Sequence, residues 1–179
     1  NIQAIHADVS LVNASIELDV EAFEKWRPEF KDAEFIKEND KYIVGREAEK
    51  MSKSKYNVVN PDAICHQYGA DSLRMYEMFL GPLEQAKPWN TAGITGVHGF
   101  LKKLWKLYHD GDSFAVSDSK ASNESYKTLH KTIKKVEEDI ENFSFNTSVS
   151  TFMIAVNELT AQKCNSRDIL EPLLVLVSP

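Results

Sequence analysis

The chain has 179 residues, 42% of them apolar, enough to bury one large core or one large and one small. With 27 acidic against 21 basic side chains the formal charge is -6, a negative mean field that excludes indiscriminate binding to polyanions and makes any RNA contact local. Two cysteines, Cys65 and Cys164, without a Cys-x-x-Cys pair, and five histidines without ligand spacing give neither a disulfide framework nor a metal site. The longest apolar run, Leu173 to Val177, is far short of the roughly 20 residues that cross a bilayer, and no signal-peptide pattern begins at Asn1, so a cytoplasmic protein is expected.

In chain order, Ile2 to Val12 is β-branched and apolar and reads as strand. Asp19 is placed to cap a short helix from Val20 to Trp26, ended by Pro28. Glu34 to Lys37 and Lys41 to Gly45 flank the turn-like Glu38-Asn39-Asp40 and read as a hairpin, which makes residues 1–45 a small mixed α+β module. Arg46 to Asn60 has no sustained apolar period and is an exposed loop.

Asn60-Pro61-Asp62 then opens a helix to about Gln67. Gly69 breaks it, and a second runs from Ala70 to Leu80 before Gly81-Pro82. After a polar connection from Leu83 to Thr95, the residues Val97, Phe100, Leu101, Leu104, Trp105 and Tyr108 form one helical stripe, which assigns Phe100, Trp105 and Tyr108 to a core. Gly111 closes that helix, and Asp112 to Asn123 is a loop rich in Ser and Asp. Tyr126, Leu129, Ile133, Val136, Ile140 and Phe143 make the seam of the next helix. Asn146 is positioned to cap a third, and Ser166 or Asp168 opens a fourth, with Pro172 near its first turn. The fold class is therefore mainly α, the mixed module followed by an antiparallel helical bundle. Both ends have the look of cuts, a start without Met in a strand and a stop just past five apolar residues, so a fragment is expected.

The chemistry-bearing stretch is Lys50-Met51-Ser52-Lys53-Ser54, followed by Asn60-Pro61-Asp62 and by Tyr68-Gly69-Ala70-Asp71-Ser72-Leu73-Arg74. Two lysines with hydroxyls beside them on a mobile loop are flexible donors able to close over a triphosphate. Taken alone, the pentapeptide also reads as a solvated basic loop, or as a localisation or phosphorylation patch, a reading that the linked Tyr68 to Arg74 run argues against. Asp71 and Arg74, three apart, read as a helix-stabilising pair. Lys102, Lys103 and Lys106 on one helix, and Lys127, Lys131, Lys134 and Lys135 on the next, lie off the apolar stripes. They are either solvated faces or basic faces for a phosphate backbone, with Glu137, Glu138, Asp139 and Glu141 opposing RNA at the far end.

Lys50 to Ser54 resembles the second signature of class I aminoacyl-tRNA synthetases, and the linked Tyr68 to Arg74 run resembles the stretch just after that signature in their leucyl, isoleucyl, valyl and methionyl branch. Tyr76 to Gln85, Lys87-Pro88-Trp89 and Gly96 to Trp105 look most like the leucyl group. The resemblance implies part of an ATP-dependent ligase that makes leucyl-adenylate and passes leucine to tRNA(Leu). Lys53 would be the principal phosphate contact and Lys50 its helper, Ser52 and Ser54 would add hydrogen bonds, and Met51 would tuck inward. ATP would arrive with Mg2+ held by its phosphates, and no metal site is expected here. It also implies three parts: 1–45 the end of a leucyl-specific insertion, 46–89 the signature loop with stem-contact helices, and 90–179 an incomplete anticodon-binding-type bundle touching tRNA through Lys102, Lys103, Lys106, Lys127, Lys131 and Lys134. No His in the chain has another three residues away, so the family's His-x-Gly-His signature is not in it. The piece alone is expected to be inactive, binding no cofactor, and monomeric or weakly associating. The rivals are a valyl, isoleucyl or methionyl relative, or a non-catalytic helical scaffold.

Overall fold

The computed structural model describes residues 4–178, so the first part of the Ile2 to Val12 strand, and Pro179, lie outside the described residues. The chain divides into two compact units, Asn1–Pro61 and Asp62–Pro179. Mainly α structure is observed.

In the first unit the only α-helix among the described residues is α1 (Val20–Trp26). Asp19 caps it as expected, its carboxylate accepting the Ala22 N–H at 3.0 Å. The remaining backbone corrects the strand expectations. Residues 4–12 carry a 3-10 turn, Val9–Leu11, and a single bridge from Val12 to Leu18. The hairpin reduces to one rung, Glu38 with Lys41, around Asn39 and Asp40 at φ 50° and 62°. Beyond that rung the chain turns from Glu34–Lys37 to 16–18: the Leu18 N–H donates to Tyr42 and the Val44 N–H to Ile16. The reason is the core. Phe23, 6% exposed, is ringed by Trp26, Phe30 and Phe35 at 5.7–6.1 Å, and Phe35 lies edge-on to Tyr42. These aromatic contacts pack the segment around Phe23 in place of a regular sheet.

The second unit is helical: α2 (Pro61–Tyr68), α3 (Ala70–Phe79), α4 (Thr91–Tyr108), α5 (Asn123–Glu141), α6 (Phe145–Ala161) and α7 (Arg167–Val177). The break between α2 and α3 falls at Gly69, whose φ of 88° is open to glycine and costly for other residues. Asp71 and Arg74 are exposed and form no ion pair among the described residues, contrary to the expected pairing. The buried Ser72 fixes α3 instead, donating to the Tyr68 carbonyl and meeting His98 Nδ1 at 3.1 Å. Tyr76 Oη donates to the Asn90 carbonyl at 2.5 Å and crosses α4 at Gly93, where a Cβ would stand 2.7 Å from that oxygen.

Between α4 and α5 lies a two-rung hairpin, β1 (His109–Asp110) with β2 (Ser113–Phe114), turning at Gly111. A three-residue connection makes α5 and α6 an αα-hairpin. Ser144, not Asn146, occupies the N-cap of α6, because Phe143 in the left-handed region turns the chain two residues earlier than expected. Ser166 opens α7, and Pro172 lies inside it. The core joins Phe100, Leu104 and Tyr108 of α4 with Leu129, Val136, Phe152, Val156, Leu159, Ile169, Leu170 and Leu173.

Trp105 departs from its expected core place. It is 62% exposed and stacks flat on His109, centroids 3.9 Å apart and planes at 4°. Ile140 and Phe143, expected in the α5 seam, are likewise exposed. Beside the apolar contacts of Leu129 and Val136, α5 also carries a polar layer: Ser125 donates to Gln162 and Thr128 to Glu158, both at 2.8 Å, and Gln162 donates back to Thr128.

Tyr108 Oη donates to the Leu170 carbonyl at 2.7 Å in this core, and burial pushes its phenol well above the ordinary value of about 10. A raised folded-state value means that its contribution to stability is intact below pH ~10 and declines above that as the unfolded phenol ionises. Tyr108→Phe is expected to lose about 1 kcal/mol at neutral pH and to show less loss of stability between about pH 10 and 12 than the unsubstituted chain, measured by urea unfolding across that range.

Candidate functional site

The loop that carries Lys50 and Lys53 belongs wholly to the first unit and is built around one amide. Asn57 Oδ1 accepts the Ser52 N–H at 2.7 Å, and Asn57 Nδ2 donates to the Lys50 carbonyl at 3.3 Å. Ser52 then begins a 3-10 turn, Lys53–Lys55, closed by Tyr56 at φ 53°. An aromatic residue in that left-handed conformation costs about 1 kcal/mol and needs outside support. Two contacts give it: the Val9 N–H donates to the Tyr56 carbonyl at 3.0 Å, and the Tyr56 ring stands edge-on to Trp26 at 4.7 Å.

The three lysines of the loop differ. Lys55 pairs with Glu49 at 2.9 Å, and Glu49 also meets His6 at 3.4 Å. The Lys55 ammonium bonded to it holds the Glu49 carboxyl below the usual carboxylate range. Lys50 and Lys53 are exposed and have no carboxylate partner among the described residues. Ser52 and Ser54 join hydroxyls at 2.9 Å. Met51, expected to turn inward, is 44% exposed, since the amide of Asn57 and the ring of Tyr56 already anchor the loop. The arrangement offers two unneutralised ammonium groups and two hydroxyls to an anionic ligand.

The other candidate lysines lie in the second unit, all exposed. Lys102, Lys103 and Lys106 are on α4, which carries no acidic residue, and Lys103 donates to Asn157 at 3.2 Å. Lys127, Lys131 and Lys134 succeed one another along α5 at spacings of four and three, with Glu124 before them and Glu138 after. Lys135 is held by the buried Asp139 at 2.5 Å, which removes it from any free basic face. Among the described residues no group of three or more His, Cys, Asp and Glu is placed to hold a metal ion, and no helix is long and apolar enough to cross a membrane.

Sequence reasoning passed over Asn57, Glu49, Tyr56 and Trp26. A polar residue five positions from the serine it holds carries no periodic signal. Trp26 and Tyr56 are 30 positions apart and meet only on folding.

The loop, the two helices after it and the bundle beyond are matched by known proteins. The family model for tRNA synthetases class I (I, L, M and V) matches residues 39–89. This chain belongs to that family. More particularly, it aligns along its whole length with one segment of leucine–tRNA ligases. It is 80% identical over 179 residues to the enzyme of Christiangramia forsetii, 68% over 180 residues to that of Flavobacterium johnsoniae and 58% over 179 residues to that of Bacteroides thetaiotaomicron. It covers 99–100% of itself in these matches and spans about a fifth, 19%, of each relative's length. In fold it is similar to LeuRS of Agrobacterium radiobacter, solved in a ternary complex with tRNA and LeuAMS. That match has a TM-score of 0.61 and 24% identity, and covers 73% of this chain and 19% of the other.

Proposed function

We propose that this chain supplies the second ATP-contact loop and a tRNA-binding helical part to a leucine–tRNA ligase, which activates leucine to leucyl-adenylate and transfers it to the 2′-hydroxyl of the terminal adenosine of tRNA(Leu). The observation that carries the reading is the pair of unneutralised lysines, Lys50 and Lys53, on a loop braced by its own side chains in a chain 80% identical to such a ligase. When the leucine carboxylate attacks the α-phosphate, charge builds on the phosphoryl oxygens and the departing pyrophosphate. Lys53 meets that charge directly and Lys50 assists, with Ser52 and Ser54 donating hydrogen bonds. Lys55, tied to Glu49, is the brace and not the contact. Mg2+ enters on the phosphates of ATP.

In this reading residues 1–45 are the end of a leucyl-specific insertion, 46–89 the signature loop with stem-contact helices, and 90–179 an incomplete anticodon-binding-type bundle. Lys102, Lys103 and Lys106 on the acid-free α4 are the better placed for tRNA phosphates. Lys127, Lys131 and Lys134 contribute between their flanking glutamates. The ligase works in the cytoplasm, and the segment by itself is monomeric or weakly associating.

The test is ATP–pyrophosphate exchange with leucine, valine, isoleucine and methionine as separate substrates. The full-length protein is expected to exchange with leucine alone, and residues 1–179 alone to be silent, because His-x-Gly-His is not in them. Exchange with another of the four reassigns the ligase, and exchange with none supports a non-catalytic scaffold.

A further inference from the structure

We infer that Asn57 is a positioning residue for the activation step: its carboxamide sets the backbone from which Lys50 and Lys53 reach the triphosphate. The inference rests on the function proposed above and names a residue that neither the motif nor its chemistry singles out.

The orientation of the amide is fixed by its partners. Ser52 N–H can only donate and the Lys50 carbonyl can only accept, so the oxygen of Asn57 faces the first and its nitrogen the second. Those two backbone groups flank Met51, and one side chain therefore fixes the peptide groups on both sides of it. Lys50 bears the bonded carbonyl, and Lys53 comes one residue after the bonded N–H. Between residues 46 and 51 no backbone–backbone hydrogen bond holds the chain among the described residues, and the first in the loop is Lys55 N–H to the Ser52 carbonyl. The Lys55–Glu49 pair and the Ser52–Ser54 hydroxyl contact join side chain to side chain and leave those backbone groups untouched.

Asn57 is itself held. It comes directly after Tyr56, whose carbonyl takes the Val9 N–H and whose ring meets Trp26. The amide thus transmits the fixed frame of the module to a stretch that has none of its own. Neither a carboxylate nor a hydroxyl reproduces it: aspartate keeps the acceptor and loses the donor, and serine is too short for both bonds. Asn57 touches no reacting atom in this scheme. It acts through the lysines by limiting the arrangements that must be searched before they meet the phosphates.

The experiment is leucine-dependent ATP–pyrophosphate exchange by the full-length ligase with Asn57→Ala, Lys53→Ala and both. Asn57→Ala is expected to lower kcat/KM for ATP roughly 10- to 100-fold, about what freeing one or two backbone residues implies, with KM for leucine changed less than about twofold. Asn57→Asp, isosteric and able to keep the Ser52 bond, is expected to fall between the two and guards against an alanine variant that fails to fold. In the Lys53→Ala background, Asn57→Ala is expected to change the rate less than about threefold, because the principal group it positions is gone and only the assisting Lys50 is left to be misplaced. Single-turnover transfer of leucine from preformed adenylate to tRNA should stay within about twofold, since the loop acts on activation.

Exchange by Asn57→Ala within about threefold of the unsubstituted enzyme overturns the inference, and so does a full multiplicative loss on top of Lys53→Ala, which would mark a general structural role. Absence of leucine-dependent exchange in the unsubstituted full-length protein overturns the functional reading itself, and is told apart from the first two outcomes by needing no variant.

Discussion

Lys53→Ala in the full-length ligase should reduce leucine-dependent ATP–pyrophosphate exchange by about 100-fold or more, equivalent to about 2.7 kcal/mol of lost charge stabilisation in the transition state. Its ammonium is the loop cation with no partner that starts the 3-10 turn, so nothing in the ground state competes for it. For the same reason its removal breaks no hydrogen bond or ion pair among the described residues, and the thermal midpoint should move by less than about 2 °C. Lys55→Ala provides the contrast. It leaves Glu49 with only His6 beside it, so the loop loses a brace and exchange should fall by less than about tenfold. Equal losses in the two variants would mean that the loop's charge acts in bulk and that Lys53 has no special place.

Leu159→Ala should have the largest effect on stability. Leu159 is fully buried at the centre of the bundle, among α4, α5 and α7 side chains, and its loss leaves a cavity as well as removing apolar contact. Such changes cost about 2–5 kcal/mol. The expected observation is a lower urea midpoint with an unchanged slope, monitored by far-UV circular dichroism on the 179-residue chain. The neighbouring Ile154 on the same helix is 58% exposed, and Ile154→Ala should change stability by less than about 0.5 kcal/mol. A small cost at Leu159 would mean that the α5, α6 and α7 core does not close as described.

The helices were legible because each rests on local signals. Asp19 as a cap, the Gly69 break and the apolar stripe of α4 are all written within a few neighbouring residues. Periodicity failed where a position on an apolar stripe is not buried. Trp105 falls on the stripe of Phe100 and Tyr108, yet α4 meets its neighbours over a narrower face, and the indole lies outside it on His109. On α5 the count of apolar residues placed Ile140 and Phe143 in a seam. Leu129 and Val136 of that seam do enter the core, while beside them Ser125 and Thr128 of α5 bond Gln162 and Glu158 of the α6 side, a polar layer that hydropathy scores as surface. The N-terminal strands failed for another reason: strand pairing depends on partners distant in sequence, and here aromatic packing around Phe23 decided it.

In the loop the lysines and hydroxyls were visible as residue types. Which lysine is free and which is tied was not, since that depends on Glu49 and on the fold that brings it to Lys55. The brace formed by Asn57 was equally invisible, because an asparagine in a polar loop looks like any other until its two partners are in place.

The edge-on contact of Trp26 with Tyr56 gives the loop an optical readout. Tyr56 ends the turn that begins at Lys53, so any swing of that turn changes the surroundings of one indole at a distance of 4.7 Å. The chain has three tryptophans, and the other two, Trp89 and Trp105, lie in the helical unit. With those two replaced by phenylalanine in the segment, Trp26 emission becomes a label-free reporter of loop motion on the millisecond scale of a stopped-flow instrument, separate from the chemistry that the motion serves.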